Sequence, residues 1–67
     1  MITTGEQLRE ARKTYRLDPK HIIKEFGKST AWYYTKETAG ELDLLHSLAF
    51  TKYFEIFKEA ERKRLGL

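Results

Sequence analysis

The stretch Leu17-Asp18-Pro19-Lys20-His21-Ile22-Ile23-Lys24-Glu25-Phe26-Gly27-Lys28-Ser29-Thr30-Ala31-Trp32-Tyr33-Tyr34-Thr35-Lys36-Glu37 decides how this chain folds. Asp18 followed by Pro19 opens a helix. The carboxylate can accept from free backbone N–H groups, and proline at the first helical position gives up a bond that was unavailable anyway. Ile22, Ile23 and Phe26 then recur on one side, and Gly27 supplies the positive φ needed to leave the helix abruptly. Ser29 can cap the next helix, which runs through Trp32, Tyr33 and Tyr34 toward Ala39 and is expected to stop at Gly40. Two helices separated by about three residues and crossing through a short glycine turn form a helix-turn-helix unit, here about residues 18–39.

Upstream, Thr3-x-x-Glu6 and Thr4-x-x-Gln7 are overlapping capping boxes, so a helix should begin near Gly5. Leu8, Ala11 and Tyr15 share one of its faces, and it should end near Tyr15 or Arg16. Downstream, no glycine or proline interrupts Glu41 to Arg64, which reads as one long helix or as two bent near Phe50. Two are favoured, because Leu42, Leu45, Leu48 and Ala49 make one compact stripe and a small five-helix domain must turn back on itself. Phe50, Tyr53, Phe54, Ile56, Phe57 and Ala60 spread over roughly 160° at about 100° per residue, wider than a single buried stripe. Either a small core wraps that helix on two sides, or Phe50, Tyr53, Phe54 and Phe57 form a dimer or protein-partner face. The fold class is therefore an all-α domain of four or five helices spanning residues 1–67, with a C-terminal helical region at 41–64.

Composition narrows the chemistry. The chain has 67 residues and no cysteine, and His21 and His46 lack a supporting ligand cluster, so neither disulfide nor metal is expected. No apolar run reaches 18 residues, and residues 1–6 lack the basic start and apolar centre of a signal peptide, which points to a soluble cytoplasmic protein without membrane contact. Ser29, Ser47, His21, His46, Asp18 and Asp43 include the residue types of a catalytic triad, yet each has a simpler role as a cap, a helix-surface residue or a loop residue. No glycine-rich phosphate cradle exists, so neither an enzyme nor a bound cofactor is expected. The net charge of +3 is unevenly spread: residues 1–36 carry +4, residues 37–61 carry −4, and Arg62, Lys63 and Arg64 add +3. A basic first half suits a polyanion, although a solvated charged surface has the same composition.

With the helices placed, residues 5–49 resemble the Cro and phage-repressor class of helix-turn-helix regulators, the xenobiotic-response-element family, and with it a lambda-repressor-like fold. Gly5 to Lys13 resembles the family's first helix, Leu17 to Gly27 its second helix and turn, and Ser29 to Glu37 its recognition helix with the acidic residue that follows. The resemblance implies that Arg12, late in helix 1, pairs with Glu37 at the end of helix 3; a planar guanidinium can grip a carboxylate with two parallel bonds. Three positions depart from the family pattern: Ile23 stands where a small residue is usual, and Lys28 and Lys36 where apolar ones are. Pro19 also replaces a glutamine that helps anchor a phosphate in the family. Two registers of helix 3 follow, one burying Tyr33, the other burying Trp32 with Thr35 and Ala39.

The resemblance implies sequence-specific binding of duplex DNA by a phage- or bacterial-type transcriptional repressor, with helix 3 in the major groove and helix 2 across the backbone. The DNA-contacting candidates are Lys20, Lys24, Lys28, Ser29, Thr30, Ala31, Tyr34 and Thr35. Lys20 and Lys24 would meet phosphates, or be no more than solvated helix charges. Such regulators usually act as twofold dimers, which makes a homodimer through the C-terminal helix an expectation as well. The alternative is a small protein-interaction module, an antirepressor, antitoxin or adaptor, in which the helix-turn-helix is scaffold and the Trp32-Tyr33-Tyr34 cluster anchors a protein partner.

Overall fold

The computed structural model describes residues 1–66, and among them the chain forms four helices and no strand. These are α1 (Gly5–Thr14), α2 (Pro19–Phe26), α3 (Thr30–Glu37) and α4 (Leu44–Arg64). Each begins at a side-chain cap that accepts a free backbone N–H: Thr4 from Gln7, Asp18 from Lys20, Ser29 from Trp32 and Asp43 from His46. At α1 the Thr4 and Gln7 pair is the one used, and Gln7 Oε1 reaches one residue further back than a standard box, accepting the Thr3 N–H at 2.7 Å.

The ends of α1 and α2 share one device. The Leu17 N–H donates to the Arg12 carbonyl and the Arg16 N–H to the Lys13 carbonyl; the Lys28 N–H donates to Ile23 and the Gly27 N–H to Lys24. Both are six-to-one and five-to-two closures that require a left-handed residue. Gly27 takes that conformation at φ 64°, whereas at α1 it falls to Arg16 at φ 53°.

α3 ends at Glu37, earlier than the Ala39–Gly40 limit read from sequence. The Thr38 hydroxyl donates back to the Tyr34 and Thr35 carbonyls, while the Ala39 carbonyl turns away to accept the Gly5 N–H at 3.0 Å. The chain leaves the helix because α1 needs that acceptor. Gly40 plays no left-handed role.

The C-terminal region is one helix of 21 residues, and the expected bend at Phe50 does not occur. Ser47, Phe50 and Phe54 continue a single buried face through that point, so bending there would break it. The stripe read as Leu42, Leu45, Leu48 and Ala49 is split: Leu42 is buried ahead of the helix, while Leu45, Leu48 and Ala49 face outward, with Leu45 79% and Leu48 48% exposed.

Every helix supplies one fully buried side chain: Leu8 from α1, Ile22 from α2, Tyr33 from α3 and Phe50 from α4. Phe50 is the hub, stacked on Phe26 at 4.8 Å between ring centroids and flanked by Trp32 and Tyr33. Such ring pairs add about 0.5–1.5 kcal/mol each beyond area burial. This corrects the expected dimer face. Phe50 and Phe54 are core residues, Tyr53 is half-buried against Phe26 and Phe54, and Phe57 is half-buried against Tyr15. The wide aromatic arc is absorbed because Tyr15 at the end of α1, Phe26 of α2 and Trp32 and Tyr33 of α3 all pack against it.

The segment before α1 is stitched into this core. The Ile2 N–H donates to Thr51 Oγ1 at 2.9 Å, the buried Ser47 hydroxyl donates to the Ile2 carbonyl, and the Leu42 N–H donates to the Thr3 carbonyl at 2.9 Å. No helix among the described residues is long and apolar enough to cross a membrane.

Candidate nucleic-acid interface

The site is organised by how α3 is held. Its inner face carries Tyr33 and, one turn on, Glu37, and both are buried. Arg12 Nε donates to Glu37 Oε2 at 2.6 Å and Nη2 donates to Oε1 at 3.3 Å, so the guanidinium grips the carboxylate with two bonds and ties the end of α3 to α1. The Glu37 side chain is 5% exposed and that of Arg12 19%, which leaves water a path only from the arginine side. The hydrogen bond to Glu37, with its negative charge, raises the Arg12 pKa against the opposing effect of burial. The Tyr33 phenol lies beside this pair without a well-formed hydrogen bond. Burial first, and then Glu37, push its pKa far above the ordinary tyrosine value.

A second contact fixes the same end of α3. A side chain at Gly5 would place Cβ 2.4 Å from the carbonyl oxygens of both Lys36 and Glu37. Only glycine lets the α1 backbone approach the α3 terminus this closely. The sequence did hold a signal for it: a glycine inside the first turn of a helix that threonines cap is unfavourable unless something presses on it.

With Tyr33 and Glu37 inward, the register that buries Tyr33 is the one adopted, and Trp32 is left half-buried. The outer face of α3 is then Thr30, Ala31, Tyr34 and Thr35, all exposed and contiguous over an arc of roughly 140°. Tyr34 packs edge-on against Tyr33 at 5.6 Å between ring centroids and is 45% exposed, so its ring is supported from behind while its outer side stays open. Ser29 sits apart from that arc because its oxygen caps the helix, accepting the Trp32 N–H at 3.1 Å. The Thr35 hydroxyl donates to the Ala31 carbonyl at 2.8 Å, which leaves its methyl group as the group to offer outward. On α2, Lys20 and Lys24 are exposed one turn apart.

Lys28 and Lys36, two of the three positions singled out in the sequence as departures, converge on one ring. Their ammonium groups lie 5.7 and 5.5 Å from the Trp32 centroid, and His46 meets the same indole edge-on at 5.4 Å. Their apolar stems cover an indole that is only partly buried while their charges remain near water. Sequence reading missed this cluster, because the three residues fall on α3, the turn before it and α4. Below it, Asp43 Oδ1 accepts the His46 N–H at 2.9 Å and lies 2.8 Å from the imidazole Nδ1. The backbone bond, then the imidazole, hold the Asp43 carboxyl below its ordinary range.

Asp18, Ser29 and Asp43 are thus helix caps and Ser47 is a tether. Among the described residues no group of three His, Cys, Asp or Glu side chains is placed to hold a metal. Comparison of the chain with protein-family models, with curated proteins and with solved structures finds no match.

Proposed function

We propose that the protein binds duplex DNA with sequence preference through a helix-turn-helix formed by α2 and α3, and acts as a transcriptional regulator of the Cro and repressor type. The observation that carries this reading is the way α3 is mounted. Arg12 and Gly5 lock its inner edge to α1, and a continuous outer face of Thr30, Ala31, Tyr34 and Thr35 is left open to solvent. A rigid helix with a free face is what major-groove reading requires, and the exposed Lys20 and Lys24 on the preceding helix suit phosphates at the groove edge.

The readout follows from the side chains. α3 has no Arg, Asn or Gln, so no strong bidentate base contact is made. The methyl groups of Ala31 and Thr35 suit a thymine methyl, the Thr30 hydroxyl a base edge or phosphate, and the Tyr34 ring an adjacent sugar or base. Discrimination is accordingly modest and draws on DNA shape.

Selection of bound duplexes from a random pool, followed by anisotropy titration at several salt concentrations, tests the proposal. A recovered motif is expected, with affinity falling steeply as salt rises through counterion release. Tyr34→Ala should cost about 1–3 kcal/mol on the selected sequence and much less on random DNA. Failure to bind any duplex, or binding indifferent to salt, would remove the DNA reading. A protein-interaction module is the second reading. It is favoured by the exposed leucines of α4 and by the engagement of Lys28 and Lys36 on Trp32.

A further inference from the structure

Three segments of the chain meet at Trp32. Lys28 lies in the turn before α3, Lys36 is the next-to-last residue of α3, and His46 belongs to the first turn of α4. The two ammonium groups stand 5.7 and 5.5 Å from the indole centroid, so these like charges lie within about 11 Å of each other, the sum of those distances, and repel. A free surface lysine swings away from a like charge. Here the spacing of four residues on either side of Trp32 lays both stems along one ring. The ring is itself fixed by its packing on Phe26 and Phe50, and His46 meets it edge-on from α4.

Nothing within the protein offsets the two charges. Among the described residues the ion pairs are Arg12–Glu37, His46–Asp43 and Arg64–Glu61, so neither lysine has a carboxylate partner. Asp43 is bonded to the His46 backbone and imidazole, and Lys36 reaches it only through space. Two cations held together on a fixed platform suit an anion that takes a bond from each.

We propose that Lys28 and Lys36 form a clamp for a single phosphate group, with Trp32 as the platform that holds their ammonium groups together. The oxygens of a phosphate diverge, so two donors arriving from different directions can each take one. A carboxylate presents both oxygens in one plane, the match for a single guanidinium, as Glu37 is for Arg12. The group comes from one of two sources with this chemistry: the backbone of a duplex, or a free phosphorylated small molecule. Trp32 and Lys36 each follow Ala31 and Thr35 by one position, so the clamp borders the outer face of α3. A duplex lying on that face brings a backbone phosphate to its edge. The duplex source rests on the DNA reading, and the small-molecule source does not.

Trp32 is the only tryptophan in the chain, so its fluorescence reports the clamp directly. The full chain is titrated with inorganic pyrophosphate, with sodium chloride at matched ionic strength, and with random duplex DNA. A saturable change in emission is expected with pyrophosphate, with duplex or with both, and none with chloride. Lys28→Gln and Lys36→Gln should each weaken that binding at least about fivefold, because one lysine alone is a solvated charge. Circular dichroism should show the fold retained in both. Lys52→Gln combined with Lys58→Gln removes the same charge from the exposed surface of α4 and should leave the response unchanged.

On duplex, the slope of log affinity against log salt should fall by about one when both clamp lysines are replaced, because together they neutralise one phosphate. Saturation by pyrophosphate assigns the small-molecule source, and a response to duplex alone assigns the DNA backbone. If no duplex binds and pyrophosphate still saturates, the DNA reading fails and the clamp stands. Emission unmoved by either probe, or a response that survives both glutamine variants, overturns the inference. So does a slope that falls by about two, the mark of two independent contacts.

Discussion

Replacing Arg12 by alanine tests the strut that positions α3. The substitution removes two charge-assisted hydrogen bonds and leaves the Glu37 carboxylate, 5% exposed, without its partner beside the Tyr33 phenol. Removing one member of a buried pair costs about 3–5 kcal/mol, and water entering from the arginine side lowers that to about 2–4 kcal/mol. A domain of 67 residues has a total stability of roughly 3–10 kcal/mol at typical values per residue. Arg12→Ala should therefore remove about a fifth or more of the stability and lower the melting temperature by about 8–32 °C. Glu37→Ala should be milder, because the long Arg12 side chain can extend to water. The double variant should be about 1–3 kcal/mol more stable than the sum of the single losses, since it removes the stranded carboxylate with its partner. Urea denaturation of all four proteins, followed by far-ultraviolet circular dichroism, measures the cycle. An Arg12→Ala loss under about 0.5 kcal/mol, or strict additivity, would show that the pair is a solvated contact without a positioning role.

Three further outcomes are expected. Gly5→Ala should destabilise by about 2–3 kcal/mol despite the better helix propensity of alanine, because its Cβ would meet two backbone oxygens that cannot swing away; a neutral result in thermal denaturation would refute the close approach. Arg16→Gly should stabilise by about 0.5–1 kcal/mol, since Arg16 holds a left-handed conformation at φ 53° that costs a non-glycine residue more than glycine loses in entropy; a lowered melting temperature would contradict this. Tyr33→Phe should change stability at neutral pH by less than about 1 kcal/mol, because the buried hydroxyl makes no well-formed hydrogen bond. The same variant should respond less to alkali. The Tyr33 phenol has a folded pKa raised above its ordinary 10.0, so its stabilising contribution is complete below pH 10 and is lost as pH rises toward the folded value. Equal alkaline profiles for the two proteins would rule that linkage out.

The local grammar of this chain was legible residue by residue. Thr4, Asp18 and Ser29 cap helices where their hydrogen-bonding chemistry indicated, and Gly27 makes the left-handed exit that a short turn needs. These features depend on neighbours within one helical turn, so the sequence holds all the information they require. What it left open was decided by contacts between distant segments. Tyr33 rather than Trp32 turned inward because Glu37, one turn later on the same face, is tied to Arg12, and Trp32 could stay at the edge because Lys28, Lys36 and His46 cover it. α3 stopped short because Gly5 needed the Ala39 carbonyl. The face of α4 read as excess aromatic surface became core, and of the leucine stripe Leu42 is buried while Leu45 and Leu48 are exposed. Periodicity establishes that a helix has faces, and only the positions of Tyr15 just after α1, Phe26 on α2 and Tyr33 on α3 determine which face is covered.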